Sequence, residues 1–259
     1  MEYAAFGTLD ALQAAKPLSL AVKQKLCYDV GRGLSALHSC GIVHCDIKHE
    51  NVLVFPSKYP VAGLPYTAKL GDFGGSVMDM TSEDFQRVET WTWPFQAPEV
   101  TSGKSLTRLE MMSTDVYSFG LLIWRAFTDG KGFVSLPGAA QGASDQDKLN
   151  LITQKATDEF TTTALMDVRR YANISGISET HLGVILYPIL HTIRTRAADR
   201  NLNKAQLALR GVGYDQHFHV IRLDTDMCSP EHVDVVTNFI QERNEKLQAS
   251  KNQGAPVSA

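Results

Sequence analysis

The sequence lacks the features that mark secreted, membrane-spanning and nucleic-acid-binding proteins. Its first 12 residues carry two acidic side chains and no basic cluster, so they do not resemble a signal peptide. The longest strongly apolar stretch, around residues 183–190, is too short to cross a bilayer. The 25 lysines and arginines against 28 aspartates and glutamates give a net charge of −3, which argues against binding to nucleic acid or to an anionic membrane. We therefore expect an intracellular, cytoplasmic protein.

Cysteine is also scarce. The four cysteines form no CxxC pair and show no regular spacing, which favours reduced and mostly buried thiols over a disulfide framework. They are Cys27, Cys40, Cys45 and Cys228. What the chain does have is apolar residues: 44% of its 259 residues are hydrophobic, enough for the core of one large domain or two small ones.

Apolar periodicity predicts helices separated by short strands. Ser19 is expected to cap a helix that runs to about Ser39, and Gly41 to end it in the left-handed conformation. Strands are expected at 42–43, 52–55 and 67–70, with a loop rich in proline and glycine at 56–65. Further helices are expected at 114–127, 182–194 and 204–210, with a glycine- and serine-rich loop at 130–147.

The C-terminal part has its own pattern. Residues 217–223 read as a strand, and Ser229 followed by Pro230 predicts the start of a last helix. The final residues, 249–259, are small and polar, and we expect them to be disordered.

The segment 41–55, GIVHCDIKHENVLVF, places polar side chains between two apolar runs. The Asp46 carboxylate could position a hydroxyl or accept its proton, and Lys48 could neutralise a phosphoryl oxygen. The amide oxygen of Asn51 suits Mg²⁺, and Asp72 offers a second oxygen in a glycine-flanked turn. These are the parts that phosphoryl transfer needs, although each loop taken alone is equally explained by aspartates that cap turns.

Taken in chain order, these loops resemble the motifs of eukaryotic protein kinases of the Ser/Thr type. The matching segments are the catalytic-loop-like 44–51, the magnesium-turn-like 72–74, the activation-segment end 97–99, and 115–120 at the start of a central helix. The resemblance covers about residues 1–210. It implies a mainly α fold with a few short β-strands, in which a helical bundle surrounds the catalytic and magnesium-binding loops of a kinase-like C-terminal lobe.

The resemblance also implies an organisation of the chain. We expect a hinge-like segment at 1–10, the kinase-like lobe at 11–212, a C-terminal extension with a terminal helix at 213–248, and the tail at 249–259.

By resemblance, ATP and Mg²⁺ are the cofactors and a serine or threonine hydroxyl of a protein is the acceptor. Asp46 would orient that hydroxyl and accept its proton, while Lys48 would steady the transferring phosphate. Asn51 and Asp72 would hold Mg²⁺. Thr92 lies in the segment that resembles the substrate-facing loop, and together with Lys48 it favours Ser/Thr over Tyr as the acceptor.

Further roles follow from the same resemblance. The backbone near Glu2 and Ala4 and the side chain of Leu53 would contact the adenine of ATP. Asp115 would tie the backbone of the catalytic loop to the core, and His44 would be a structural hydrogen-bonding residue. Arg200 falls where the family keeps an arginine that pairs with the glutamate of the Ala-Pro-Glu motif, which is Glu99 in this chain.

The sequence departs from the family pattern in two places. Cys45 replaces the arginine that usually precedes the catalytic aspartate and that pairs with an activation-loop phosphate. In addition, no glycine-rich loop, strand lysine or helix glutamate precedes the hinge-like start. We therefore expect very weak nucleotide binding and little or no turnover by this chain alone, and an apolar surface around Tyr3, Phe6 and Leu9 that a protein partner could cover.

Two other functions stay open. The helical lobe could serve as a pseudokinase-like scaffold, although a scaffold has no chemical need for the four polar residues of the site. The run Gly31-x-Gly33-x-x-Ala36 fits a dinucleotide-binding fingerprint and would suggest an NAD-dependent oxidoreductase, but the residues before it continue a helical period instead of a strand. A metal site at His217-x-His219 is also disfavoured, because no third ligand is suggested nearby.

Overall fold

Eight α-helices and three two-stranded antiparallel sheets make up the part of the chain that the computed structural model describes. That part comprises residues 2–61, 63–78, 80–81, 83–89, 91–210, 212–214 and 221–223. The helices are α1 (Leu9–Ala15), α2 (Leu20–Ser39), α3 (Pro98–Thr101), α4 (Arg108–Phe127), α5 (Asp145–Lys155), α6 (Asp158–Ile174), α7 (Glu179–Thr192) and α8 (Leu202–Leu209). The strands are β1 (Val52–Val61), β2 (Leu64–Leu70), β3 (Phe85–Gln86), β4 (Leu106–Thr107), β5 (Val212–Tyr214) and β6 (Ile221–Leu223). The predicted mainly α fold with a few short strands is confirmed.

Helix α2 has the bounds that the sequence predicts. The Ser19 side chain accepts a hydrogen bond from the backbone of Val22, and Gly41 follows the last turn with φ of +75°. The Ile42 N–H bonds back to the Leu37 carbonyl, and the Gly41 N–H to that of His38, which is the Schellman arrangement. The two glycines of the dinucleotide-like run lie inside this helix and not at a strand-to-helix turn.

Helix α4 is the buried centre of the fold and packs against α2, α6 and α7. Its predicted start at residue 114 is wrong, because a capping box begins the helix at Arg108. The Thr107 hydroxyl accepts from the Glu110 N–H, and the Glu110 carboxylate accepts from the Thr107 N–H. Gly120 lets α7 approach closely, since a Cβ there would lie 2.3 Å from the Thr192 hydroxyl oxygen.

The predicted loop at 56–65 is instead most of a β-hairpin. Strands β1 and β2 pair from Val52–Leu70 through Pro56–Tyr66, and the register shifts only beyond Pro56. In a two-stranded sheet both strands are edge strands. A proline, which has no N–H, is therefore tolerated where its nitrogen faces away from the partner strand. The proline signal therefore misled the prediction.

Four helices were not predicted, and the shortest of them is α3 (Pro98–Thr101). Helix α1 occupies the end of the expected hinge segment, where the Thr8 side chain caps it. Helix α5 begins within the expected loop at 130–147, capped by Ser144, and α6 follows it directly. Helix α5 is polar and buries only Leu151 and Lys155, so its apolar periodicity is too weak to reveal it.

Some predictions fall on residues that the structure leaves undescribed. Ile221–Leu223 is a strand within the predicted strand 217–223 and pairs with β5. The pair His217 and His219, the helix expected after Ser229, and the tail 249–259 lie outside the described residues. Within the described part of the chain, no helix combines the length and apolar character needed to cross a membrane.

Candidate active site

Helix α4 fixes the backbone of the loop at 44–51 through one buried carboxylate. Asp115 is 1% exposed, and its two oxygens accept the backbone N–H groups of His44 and Cys45, each at 2.8 Å. The Nε2 of His38 lies 3.0 Å from the same carboxylate. The expected tie between Asp115 and this loop is confirmed.

His44 has a structural role, as predicted. Its Nδ1 accepts the backbone N–H of Asp46 at 3.3 Å, so the proton of the neutral ring is on Nε2. That Nε2 donates to the Gly71 carbonyl at 3.0 Å and so joins the catalytic loop to the turn that carries Asp72.

Four of the predicted site residues meet around the Asp46 carboxylate. Lys48 Nζ donates to Asp46 Oδ2 at 2.6 Å and to Thr92 Oγ1 at 2.7 Å. The Thr92 hydroxyl in turn donates to Asp46 Oδ1 at 2.8 Å. Asn51 Nδ2 donates to the Asp46 backbone carbonyl at 2.8 Å and to Oδ2 at 2.9 Å. The result is a closed network in which both carboxylate oxygens of Asp46 are occupied.

The network keeps Asp46 ionised. Burial acts to raise the pKa of Asp46, but the hydrogen bonds from Lys48, Thr92 and Asn51 and the charge of Lys48 outweigh it, so the pKa lies below its ordinary value. A carboxylate of low basicity orients a hydroxyl well and accepts its proton only late in a reaction.

Asn51 and Asp72 lie at the open end of the β1–β2 hairpin, where Asn51 precedes β1 and Asp72 follows β2. The Gly71 N–H bonds to the Asn51 carbonyl at 2.9 Å, which brings the two segments side by side. Asp72 is exposed and has φ of +60°, an unusual value for a non-glycine residue, and its Oδ1 accepts the Gly74 N–H at 3.3 Å. The structure thus brings Asn51 to Asp46 directly and Asp72 to Asn51 through the backbone.

The donor set at this hairpin fits Mg²⁺ accompanied by phosphate. Asn51 Nδ2 donates to Asp46, which leaves its Oδ1 as the atom able to ligate a cation. Among the described residues, no three histidine, cysteine, aspartate or glutamate side chains cluster as a metal site. Mg²⁺ ordinarily takes one or two protein carboxylates and completes its shell with substrate phosphates and water, so the carboxylate of Asp72 with the amide oxygen of Asn51 is compatible with such a site.

The segment proposed to contact adenine runs beside β1. Phe6 and Gly7 exchange backbone hydrogen bonds with Val54, at 3.2 and 2.8 Å, next to Leu53. Leu53 itself lies so close to Gly71 that a Cβ there would be 3.0 Å from Leu53 Cδ1. The contacts of Leu53 with a nucleotide remain a prediction.

The other two predicted nucleotide contacts have partners within the chain. The Glu2 carboxylate pairs with Lys69 of β2, and the Ala4 carbonyl accepts the Gly7 N–H at 3.0 Å. Of the three residues expected at an exposed apolar surface, Tyr3 and Phe6 are exposed, at 85% and 38%. Leu9 was placed there wrongly, because it opens helix α1 and is buried in the core.

Cys45 is a structural thiol and not a redox group. Burial and the Asp115 carboxylate raise its pKa to about 12, so its thiolate is scarce at neutral pH. The residue has φ of +68°, a conformation that its backbone bonds to Asp115 help to hold. No feature of the sequence around Cys45 predicts this conformation.

The predicted partner of Arg200 is confirmed. The Arg200 guanidinium, with a side chain 0% exposed, donates to both carboxylate oxygens of Glu99. It also donates to the backbone carbonyls of Arg194 at 2.8 Å and Ser113 at 3.0 Å, and lies over the Tyr117 ring. This bidentate pair anchors the short helix α3 to the core.

Two charged residues near the site escaped the sequence reasoning. Arg125 of α4 pairs with Glu50 of the catalytic loop at 3.0 Å and with Asp10 of α1. Lys155 of α5 donates to the backbone carbonyls of Pro94 and Gln96, in the segment that follows Thr92. Neither residue belongs to a motif, and only the folded chain reveals what each contacts.

The burial of His49, inside the catalytic loop, predicts that the folded chain loses stability in acid. The ring is fully buried, and neither nitrogen has a hydrogen-bond partner among the described residues. Burial and the Arg125 guanidinium hold the pKa of His49 well below its usual value of 6.5. Below pH 6.5 the unfolded chain therefore binds a proton that the folded chain does not, and the free energy of unfolding falls by about 1 kcal/mol between pH 7 and 5.5.

Urea denaturation at these two pH values checks this prediction. His49→Phe should remove that part of the loss of stability on acidification, since the substituted ring cannot titrate. His181→Gln, which changes a histidine of α7 far along the chain, should retain it. An unchanged pH dependence in His49→Phe would contradict the prediction.

Comparison with known proteins agrees with this geometry. Residues 1–246 match the protein kinase domain family. The chain is 32% identical over 131 residues to the serine/threonine/tyrosine-protein kinase HT1 of Arabidopsis thaliana, covering 49% of this chain and 30% of that protein. It is 33% identical over 128 residues to the serine/threonine-protein kinase-transforming protein mos of a myeloproliferative sarcoma virus, covering 49% of this chain and 34% of that protein.

The chain therefore spans about a third of the length of these two relatives. The family match, by contrast, extends over nearly the whole sequence and includes each loop of the candidate site. The chain belongs to the protein kinase family.

Proposed function

We propose that the chain carries the phosphotransfer site of a protein kinase that uses MgATP to phosphorylate serine or threonine side chains of proteins. The observation that supports this most strongly is the closed network in which Lys48 and the Thr92 hydroxyl both contact the Asp46 carboxylate. Such a network combines a hydroxyl-orienting anion with a cation that can face a phosphate, and phosphoryl transfer is catalysed mainly by positioning and charge neutralisation.

Each residue then has one task. Asp46 orients the acceptor hydroxyl and takes up its proton as the bond from that oxygen to the γ-phosphorus of ATP forms, while the bond from the γ-phosphorus to the bridging oxygen breaks and ADP leaves. Lys48, held against Asp46, contributes positive charge at the transferring phosphoryl oxygens. Asn51 and Asp72 hold Mg²⁺, which when bound neutralises the phosphate oxygens of ATP. Leu53 and the backbone near Glu2 and Ala4 bind the adenine.

The preference for an aliphatic hydroxyl has support in the site itself. Thr92 Oγ1 donates to Asp46 at 2.8 Å, so this carboxylate already accepts a hydrogen bond from an alcohol of the kind proposed as the substrate. The relatives' names agree in part, because one names serine and threonine and the other adds tyrosine.

Radiolabelled transfer from ATP to a serine- and threonine-containing protein tests the proposal. We expect slow transfer by this chain, and Asp46→Asn should lower the initial rate by about 100-fold or more, because general-base groups contribute factors of that size. The asparagine keeps the shape of the side chain: its oxygen can accept from Lys48 and Asn51, and its NH₂ can donate to the Thr92 hydroxyl, which is able to accept. The variant should therefore fold normally, as circular dichroism can show.

A thermal-shift series supplies the binding control. MgATP should raise the melting temperature of the native chain and of Asp46→Asn alike, since binding to the folded state stabilises it by mass action. Asp72→Ala should lose the shift that depends on Mg²⁺. Transfer that persists in Asp46→Asn would overturn the proposed role of Asp46, and nucleotide binding without any transfer would favour the scaffold function.

A further inference from the structure

Lys155 places its amino group in the core, against the segment that follows Thr92. It is the last residue of α5, and its side chain is 2% exposed. Its Nζ donates to the backbone carbonyl of Pro94 at 2.7 Å and to that of Gln96. The rings of Trp93 and Tyr117 lie on two sides, with centroids 5.9 and 5.4 Å from Nζ. Burying a lysine amino group is costly unless it is hydrogen-bonded, and the two backbone carbonyls supply those bonds.

The carbonyls belong to one turn, the residues 92–96, which we name the Thr92 turn. Within it the Phe95 N–H bonds to the Thr92 carbonyl at 2.8 Å. Ser118 of α4 donates to the Phe95 carbonyl at 2.9 Å. Lys155 holds the carbonyls on either side of that one, so three consecutive carbonyls are anchored to α4 and α5.

A second contact joins the same turn to α5. The Trp93 indole N–H donates to the Gly138 carbonyl at 3.0 Å. Gly138 itself lies against α5, since a Cβ there would be 2.2 Å from the Asp147 carbonyl oxygen. Two sets of contacts therefore hold the Thr92 turn against α5. Lys155 contacts the turn directly, and Gly138 links α5 to the turn through Trp93.

Thr92, the first residue of this turn, contacts the Asp46 carboxylate. Its hydroxyl donates to Asp46 and accepts from Lys48. We propose that Lys155 is a positioning residue, whose contacts with the Thr92 turn hold the Thr92 hydroxyl against Asp46. The inference rests on the proposed function, since it gives Lys155 a part in the same phosphotransfer site.

The surroundings of Lys155 make its anchor sensitive to pH. Burial lowers the pKa of Lys155 to about 7, the Glu99 carboxylate opposes this, and the Arg200 guanidinium adds to it. The other titratable group facing it is the phenol of Tyr117, whose pKa burial raises. Opening the turn to water returns Lys155 to its ordinary pKa of 10.5, so the open state binds a proton more readily. The closed turn is therefore favoured increasingly as the pH rises above 7.

Amide hydrogen exchange tests the inference without requiring activity. In Lys155→Met, which keeps the length of the side chain but removes the donors, exchange in peptides covering 91–97 and 44–51 should rise about tenfold. Helices α7 and α8 should keep their protection. The matched control is Lys148→Met, because Lys148 lies on the same helix with a side chain 42% exposed, and it should leave both peptides unchanged. Equal exchange in the native chain and Lys155→Met would overturn the inference.

A second measurement uses the unmutated chain and does not depend on the variant folding. After correction for intrinsic exchange rates, protection of the 91–97 peptide should increase between pH 7 and 9. A flat profile would overturn the pH sensitivity of the anchor. Lys155→Gln, which retains donors but cannot titrate, should show less pH dependence than the native chain.

The transfer assay separates this inference from the proposed function. If the native chain transfers phosphate, Lys155→Met should lower kcat at least tenfold and leave the KM for ATP within a factor of two. An unchanged kcat would overturn the positioning role. If the native chain and Asp46→Asn are equally inactive, the proposed function fails, and unchanged exchange in Lys155→Met would then separately overturn the anchoring of the turn.

Discussion

Glu99→Ala is expected to lower the free energy of unfolding by about 3–5 kcal/mol. The change leaves the Arg200 guanidinium buried without its carboxylate, and removing one partner of a buried ion pair carries a penalty of this size. The carbonyls of Arg194 and Ser113 remain as acceptors, but they supply no negative charge. Because domains of this kind are only marginally stable, the loss is a large part of the total.

Urea denaturation monitored by circular dichroism measures the effect. Glu83→Ala is a suitable control, because it removes an exposed glutamate and should change the free energy of unfolding by less than about 0.5 kcal/mol. The double variant Glu99→Ala with Arg200→Leu should recover part of the loss, since no uncompensated charge then remains in the core. A single-variant loss below about 1 kcal/mol would show that the pair contributes little.

Asp115→Asn should be the second most damaging of these substitutions, with an expected loss of about 2–4 kcal/mol. One carboxylate now accepts the N–H groups of both His44 and Cys45. An amide of the same shape can accept only at its oxygen, and its NH₂ would face one of the two N–H donors. An unpaired buried donor costs about 1–3 kcal/mol, and the opposed donors add to this.

The same variant should also loosen the loop that carries Asp46. Hydrogen exchange at 44–51 should increase even under conditions in which the rest of the chain stays folded, because local opening follows the loss of local bonds. Asp145→Asn, at the fully exposed start of α5, is the control and should leave this exchange unchanged. Retention of full stability in Asp115→Asn would mean that the loop backbone has other sufficient partners.

Local rules predicted part of the fold from the sequence. Ser19 and Gly41 define the bounds of α2. A side-chain oxygen that caps free N–H groups is needed only at the N-terminus of a helix, and a residue in the left-handed conformation only at its C-terminus. The start of α4 is set by the capping box of Thr107 and Glu110, six residues before the point at which the apolar pattern predicts the helix to begin. The prolines at 56–65 predicted a loop, but the segment belongs to a hairpin. Proline lacks a backbone N–H, and this excludes it from a strand only where the partner strand needs that N–H.

The candidate site was predictable to a different extent. Asp46, Lys48, Asn51, Asp72 and Thr92 stand in motifs, and the structure brings the first three and Thr92 into direct contact. Lys155 belongs to no motif, because its importance depends on where a polar helix docks and not on its neighbours in sequence. His49 is similar, since nothing in its sequence context indicates that both ring nitrogens would be buried without hydrogen-bond partners in the described part of the chain.

The register of the β1–β2 hairpin indicates where this chain would tolerate insertions and deletions. The ladder is regular from Val52–Leu70 to Pro56–Tyr66, and its irregularity lies on the side of the tip. Residues added or lost near Gly63 would therefore be absorbed by the distal half of the hairpin. The spacing between the oxygen atoms of Asn51 and Asp72, at the opposite end, would be insulated from such length variation.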